Sequence, residues 1–98
     1  MTSRFDDLLQ RVSILNAQLG PLEHQIGSEV RDLLHRRLWA IVAELNSMLD
    51  LGLDNTALDL TAEGDRLRIH FWSGVGGSID AEVNIFIDRT FTVQKHTT

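Results

Sequence analysis

The sequence predicts an α+β fold, with two N-terminal helices over residues 3–19 and 28–51 packed on a three- to four-stranded antiparallel β-meander over residues 56–95. Three observations carry that prediction. Apolar residues recur every three or four positions as far as Leu51. Beyond Gly52 they recur every second position, which is the strand period. Turn-forming residues separate the alternating stretches. Ninety-eight residues suit one domain spanning 1–98.

The first helix is expected to start at Ser3, whose hydroxyl can accept from the free N–H groups, with Asp6 and Asp7 placed against the positive end of the helix dipole. Phe5, Leu8, Leu9, Val12, Leu15 and Leu19 form one stripe, and Ile14 falls on the opposite side. Gly20-Pro21 reads as the stop, with Gly20 expected in the left-handed conformation. A short helical turn is expected at 21–26, and Ser28 is a fresh N-cap for a second helix ending at Gly52. At 1.5 Å per residue this helix is about 35 Å long, the length of a small domain.

Its expected core arc is Val30, Leu33, Leu34, Leu38, Ile41, Val42, Leu45, Met48 and Leu49. Behind it lie Trp39, Ala40, Ala43 and Ser47. A large aromatic among small residues suits a second packing surface, against the first helix or another chain. Arg37 and Glu44 fall beside the arc, where mutual neutralisation is expected, and Asp32–Arg36 reads as an i,i+4 pair.

In the sheet, Leu58, Leu60 and Ala62 make one strand and Leu67, Ile69 and Phe71 the next. Ile79, Ala81, Val83, Ile85 and Ile87 make a third, and Phe91 and Val93 a weaker fourth. A two-residue turn at Gly64-Asp65 pairs Leu60 with Ile69. A five-residue loop at 73–77 is expected to pair Phe71 with Ile79, and a three-residue turn at 88–90 to pair Ile87 with Phe91. This register sets Asp59, His70 and Asp80 in one outward row and Thr61, Arg68 and Glu82 in the next.

An imidazole between two carboxylates could act as a general acid, or bind a metal with two oxygen ligands. Cross-strand charge pairing explains the same row without chemistry. No nucleophile or substrate-orienting group accompanies it, so no catalytic residue is assigned and no enzyme is expected. The glycines of Ser73–Ser78 lead into a strand and no lysine follows, unlike a phosphate loop. The four histidines show no metal-ligand spacing, so neither metal nor cofactor is expected.

A net charge of −5 disfavours phosphate-backbone binding, and no nucleic-acid partner is expected. Neither a signal-peptide core nor a run of about 20 apolar residues is present. The expectation is no membrane association and a cytoplasmic location. The absence of cysteine agrees with that location.

Trp39, Ala43, Ile14, Trp72 and Phe86 have no obvious place in the core and are the interface candidates. The expected function is a small acidic, non-enzymatic protein-binding module, a homodimeric adaptor or an inhibitor of a protein target. An enzyme or ligand-binding domain using Asp59, His70 and Asp80, or a structural subunit docking through the second helix, are the alternatives. The helix–helix–meander order resembles in architecture the repeat unit of the β-lactamase inhibitory proteins, which implies a surface that grips a protein. Small acidic phage-encoded inhibitors are similar in size and charge.

Overall fold

The computed structural model describes residues 3–53, 58–73 and 81–97. Helix α1 spans Arg4–Leu19 and helix α2 spans Glu29–Leu49. Strands β1 (Leu58–Glu63), β2 (Arg66–Ser73), β3 (Ala81–Ile87) and β4 (Val93–Thr97) form one antiparallel sheet in the order β1-β2-β3-β4. The α+β architecture is the one the two periodicities predict.

Both N-caps form as expected. The Ser3 hydroxyl accepts from the Asp6 N–H at 3.0 Å, and that of Ser28 from the Arg31 N–H at 3.2 Å. The helix ends differ from expectation. Gly20 is right-handed (φ −47°) and carries the chain into a 3₁₀ turn at Gly20–Leu22, with Pro21 in the first-turn position where its missing N–H is harmless. Helix α2 ends at Leu49, and its cap, two residues before Gly52, is Asp50 in the left-handed conformation (φ 51°). Asn46 makes this stop possible: its Oδ1 accepts from the Leu53 N–H and its Nδ2 donates to the Leu53 carbonyl, holding the chain as it leaves the helix.

The core takes Phe5, Leu8, Val12, Leu15 and Leu19 from α1 and Leu34, Leu38, Ile41, Val42 and Leu45 from α2. The sheet adds Leu60, Leu67, Ile69, Val83, Ile85 and Ile87. Three residues of the expected α2 arc lie outside it: Val30, Leu33 and Met48 are 58%, 43% and 37% exposed. They stand on the flank of the helix rather than at its centre, where a sheet four strands wide and one neighbouring helix do not reach. Arg4 meets Glu44 at 2.6 Å, so Glu44 pairs across to α1 rather than with Arg37. Arg36 reaches the backbone carbonyl of Asp32, not its carboxylate.

The β1–β2 register is the expected one, with Leu60 opposite Ile69. Gly64 has φ +63° at the first turn position, a conformation a side chain there would resist. The β2–β3 register differs by four residues. Phe71 faces Val83 and Ile69 faces Ile85, with residues 74–80 lying between the last pair, Ser73 and Ala81. A step of four keeps every apolar residue on the core face, so alternation alone cannot distinguish the two pairings. Ile79 and the Ser73–Ser78 glycine loop lie at or beyond the limit of the described residues.

The β3–β4 hairpin has the expected three-residue loop, displaced by one position. It holds residues 89–91, and Ile87 pairs with Val93 instead of Phe91. The Asp88 N–H donates to the Thr92 carbonyl and the Phe91 N–H to the Asp88 carbonyl, with Phe91 left-handed at φ 59° where such loops prefer glycine. Two things hold phenylalanine there. Its ring packs edge-on against Phe5 at 5.5 Å, and Asp88 organises the loop. The Asp88 carboxylate accepts from the Thr90 hydroxyl at 2.7 Å, the Thr92 N–H at 2.9 Å and the Thr90 N–H at 3.0 Å.

These donors, the Thr90 hydroxyl foremost, hold the Asp88 carboxyl below its ordinary value of 3.8. A carboxyl whose pKa is lower folded than unfolded contributes stability above the unfolded value and loses it as pH falls through the folded one. The stability difference between wild type and Asp88→Asn is therefore expected to shrink below about pH 3.8. Urea unfolding at neutral and strongly acid pH measures this, and a difference constant with pH would refute it.

The two sheet edges are closed to other strands by different means. At β1, the Asn16 side chain donates Nδ2–H to the Leu60 carbonyl and accepts the Ala62 N–H at Oδ1, both at 3.0 Å. One amide thus occupies the place of a neighbouring strand. At β4, Lys95 lies opposite Ile85 and so on the core-facing side of an exposed strand, where an inward charge discourages edge pairing.

Candidate functional site

The outward face of the sheet carries the polar cluster the sequence singles out, with changed membership. Asp59 stands opposite His70 as expected. On β3 the residue opposite His70 is Asn84, and on β4 the row ends at His96. Asp80 lies outside the described residues. The carboxylate that reaches the imidazole is that of Glu82, with Oε1 at 2.5 Å from His70 Nε2.

A common slant governs the contacts from β2 to β3. His70 reaches Glu82, Arg68 Nε donates to Asn84 Oδ1 at 2.8 Å, and the Arg66 guanidinium lies 4.1 Å from the Phe86 ring centroid. Each partner sits diagonally, two residues from the directly opposite position. Arg68 also pairs with Glu63 at 2.8 Å, and Phe86 packs edge-on against His96 at 5.5 Å. The His70 side chain is 13% exposed, so it is committed to Glu82 and largely covered rather than presented to solvent. Among the described residues no group of three or more His, Cys, Asp or Glu side chains could hold a metal ion.

Among the described residues, two depressions lie elsewhere, and neither is lined by His70. One is a groove of about 470 Å³ between the helices, lined by Arg11, Ile14 and Gln18 of α1 and by Arg37 and Ala40 of α2. The helices run antiparallel here, since Arg4 meets Glu44 while Arg11 and Ile14 lie beside Arg37 and Ala40. The other is a cleft of about 240 Å³ between the end of α1, the first half of α2 and β1, lined by Trp39, His35, Glu23 and Asp59 among others.

The interface candidates are therefore distributed, not gathered. Ile14 is 51% exposed and lines the groove. Trp39 is 53% exposed and walls the cleft, so α1 does not cover it. Ala43 is exposed on α2. Phe86 is half-buried under Arg66 and beside His96. Trp72 is described in its backbone alone, paired with Glu82.

The residues missed in the sequence are Arg11 and Glu23, which matter only because α1 and its 3₁₀ extension lie beside α2. Neither has a one-dimensional signal. Compared with protein-family models, curated proteins and solved structures, the chain has no significant match. No helix among the described residues is long and apolar enough to cross a membrane.

Proposed function

We propose that the chain is a non-enzymatic protein-binding module that acts as an adaptor or inhibitor by seating an acidic, amphipathic segment of a partner in the α1–α2 groove. The observation that carries this reading is the groove's lining. Ile14, half exposed, sits with the guanidinium-bearing Arg11 and Arg37 on a protein of net charge −5. Arg37 forms no ion pair within 4.0 Å among the described residues, and Arg11 has only a 4.0 Å contact with Asp7. Such a surface suits apolar side chains flanked by carboxylates, the pattern of a helix laid in a groove. Leu33, 43% exposed on the same helix, adds to the apolar area outside the core.

A second copy docked groove to groove by two-fold symmetry would bring Arg11 and Arg37 towards their own counterparts. The charge pattern therefore favours a foreign acidic partner over the homodimer.

The test is capture from the native host with wild type and with Ile14→Asp and Arg37→Glu, each checked for unchanged melting. The expected result is a partner retained by wild type, reduced about tenfold or more on either groove variant, and weakened by salt. Equal capture by the groove variants would reject the site. A concentration-dependent dimer in sedimentation, disrupted by Arg37→Glu, would replace the foreign partner with self-association.

A further inference from the structure

We infer that the outer face of α2 binds a second copy of this chain, with the two α2 helices antiparallel about a two-fold axis at Ala43. Arg11, Ile14 and Arg37 take no part in this contact, so it stands apart from the groove and its foreign partner.

Arg36, Ala43 and Asp50 follow one another at intervals of seven residues, and Trp39 and Ser47 stand four residues to either side of Ala43. At 3.6 residues per turn these five fall on one side of the helix, opposite the buried Leu34, Leu38, Ile41 and Leu45. All five are exposed in the single chain, and Trp39 by 53%. A large aromatic at the middle of a helix face is the residue type that most often anchors a protein contact.

The charges along this face select the same helix as its occupant. Neither Arg36 nor Asp50 has an ion pair within 4.0 Å among the described residues. Arg36 reaches only the backbone carbonyl of Asp32, at 3.5 Å. Asp50 caps the negative end of α2, and the last turn holds no basic residue to offset it. A two-fold axis at Ala43 sets each residue opposite the one equally far beyond the axis. Arg36 of each copy then meets Asp50 of the other, about 10 Å from the axis at either end. A parallel pair would instead set arginine on arginine and aspartate on aspartate.

The shape agrees with this pairing. In packed antiparallel helices a side chain enters the space between four residues of its neighbour. Around the position of Trp39 those four are Ala43, Asn46, Ser47 and Asp50 of the second copy. Ala43 and Ser47 are small and leave room for an indole. Asn46 is held to the Leu53 backbone by two hydrogen bonds and stays out of the way. One helix face per copy buries less than the roughly 1,600 Å² of a standard interface, so the dimer is weak and reversible.

Sedimentation velocity of the full chain, from micromolar to millimolar concentration, is expected to show a monomer–dimer equilibrium. Trp39→Ala should raise the dissociation constant about tenfold or more. Arg36→Asp and Asp50→Lys each turn two attractions into two repulsions, and each alone should weaken the dimer by a similar factor. Their equimolar mixture should dimerise again, because each variant then meets opposite charge on the other. Thermal melting checks that the variants are folded. Ala43→Glu, which sets two carboxylates at the axis and leaves the helix cap intact, is the substitute if Asp50→Lys unfolds the chain. A wild type that stays monomeric throughout, or a dimer unchanged by Trp39→Ala and Ala43→Glu, would overturn the inference. A mixture that stays monomeric would overturn the antiparallel pairing. Ile14→Asp and Arg37→Glu should leave this dimer intact. A dimer lost with Arg37→Glu and kept with Trp39→Ala would lie in the groove and reject this face, so the two failures are distinguishable.

Discussion

Replacing Phe5 by alanine is expected to lower the unfolding free energy by about 3–5 kcal/mol, the usual loss for a large aromatic deleted from a packed core. Phe5 is fully buried although it stands in the first turn of α1. Its ring joins the start of α1 to the β3–β4 loop through Phe91, at an interplanar angle of 82°. For a domain of this size total stability is about 5–15 kcal/mol, so the variant should be only marginally folded at 37 °C.

The contact also bears on Phe91, whose left-handed backbone costs about 1–2 kcal/mol for a residue with a side chain. Phe91→Gly removes that strain and loses the ring contact, so its net effect should be small. A double-mutant cycle between the two positions should return about 0.5–1.5 kcal/mol of coupling. Denaturant unfolding of the four proteins measures both quantities. A loss under about 1 kcal/mol for Phe5→Ala would mean that α1 is not anchored as described.

Asn16→Leu should cost about 1–3 kcal/mol, because it leaves the Leu60 carbonyl and the Ala62 N–H without their partner in a partly buried edge. The Ala62 amide should exchange faster with solvent in this variant, well before the amides bonded between β2 and β3. Asn16→Asp separates the two hydrogen bonds. An ionised carboxylate still accepts from Ala62 but repels the Leu60 carbonyl, so the variant should be destabilised at neutral pH. It should recover part of the loss in acid, where the protonated group can donate again. An Asn16→Leu protein as stable as wild type, with unchanged Ala62 exchange, would show that the amide does not hold the edge.

The outcome for the interface residues follows from how helices and sheets carry information. Helix caps are local, which is why Ser3 and Ser28 were readable: each needs a hydroxyl one residue before an amphipathic run. Gly20 was misread because a 3₁₀ turn continues right-handed through a glycine that local rules assign to a stop. Trp39 and Ile14 were recognisable as surplus to the core, since both fall off their helix's apolar stripe. Their separation into a cleft and a groove was not, since it depends on which flank of α2 receives α1.

Alternation assigns every strand residue to a face, and it did so correctly for Leu67, Ile69, Val83, Ile85 and Ile87. It is blind to displacements by an even number of residues, so the β2–β3 and β3–β4 registers depended on loop geometry instead. The membership of the polar row around His70 follows from that register and from the diagonal contacts of the sheet. Glu82, opposite Trp72 along the ladder, is the group that meets the imidazole.

Element type, helix starts and the inward face were thus legible from residue spacing, because short-range sterics and amphipathic burial act within a few positions. Partnership across elements was decided by tertiary packing. The Asn16 clamp on β1, the Arg4–Glu44 pair and the two depressions bring together residues tens of positions apart, and no local rule operates over that distance.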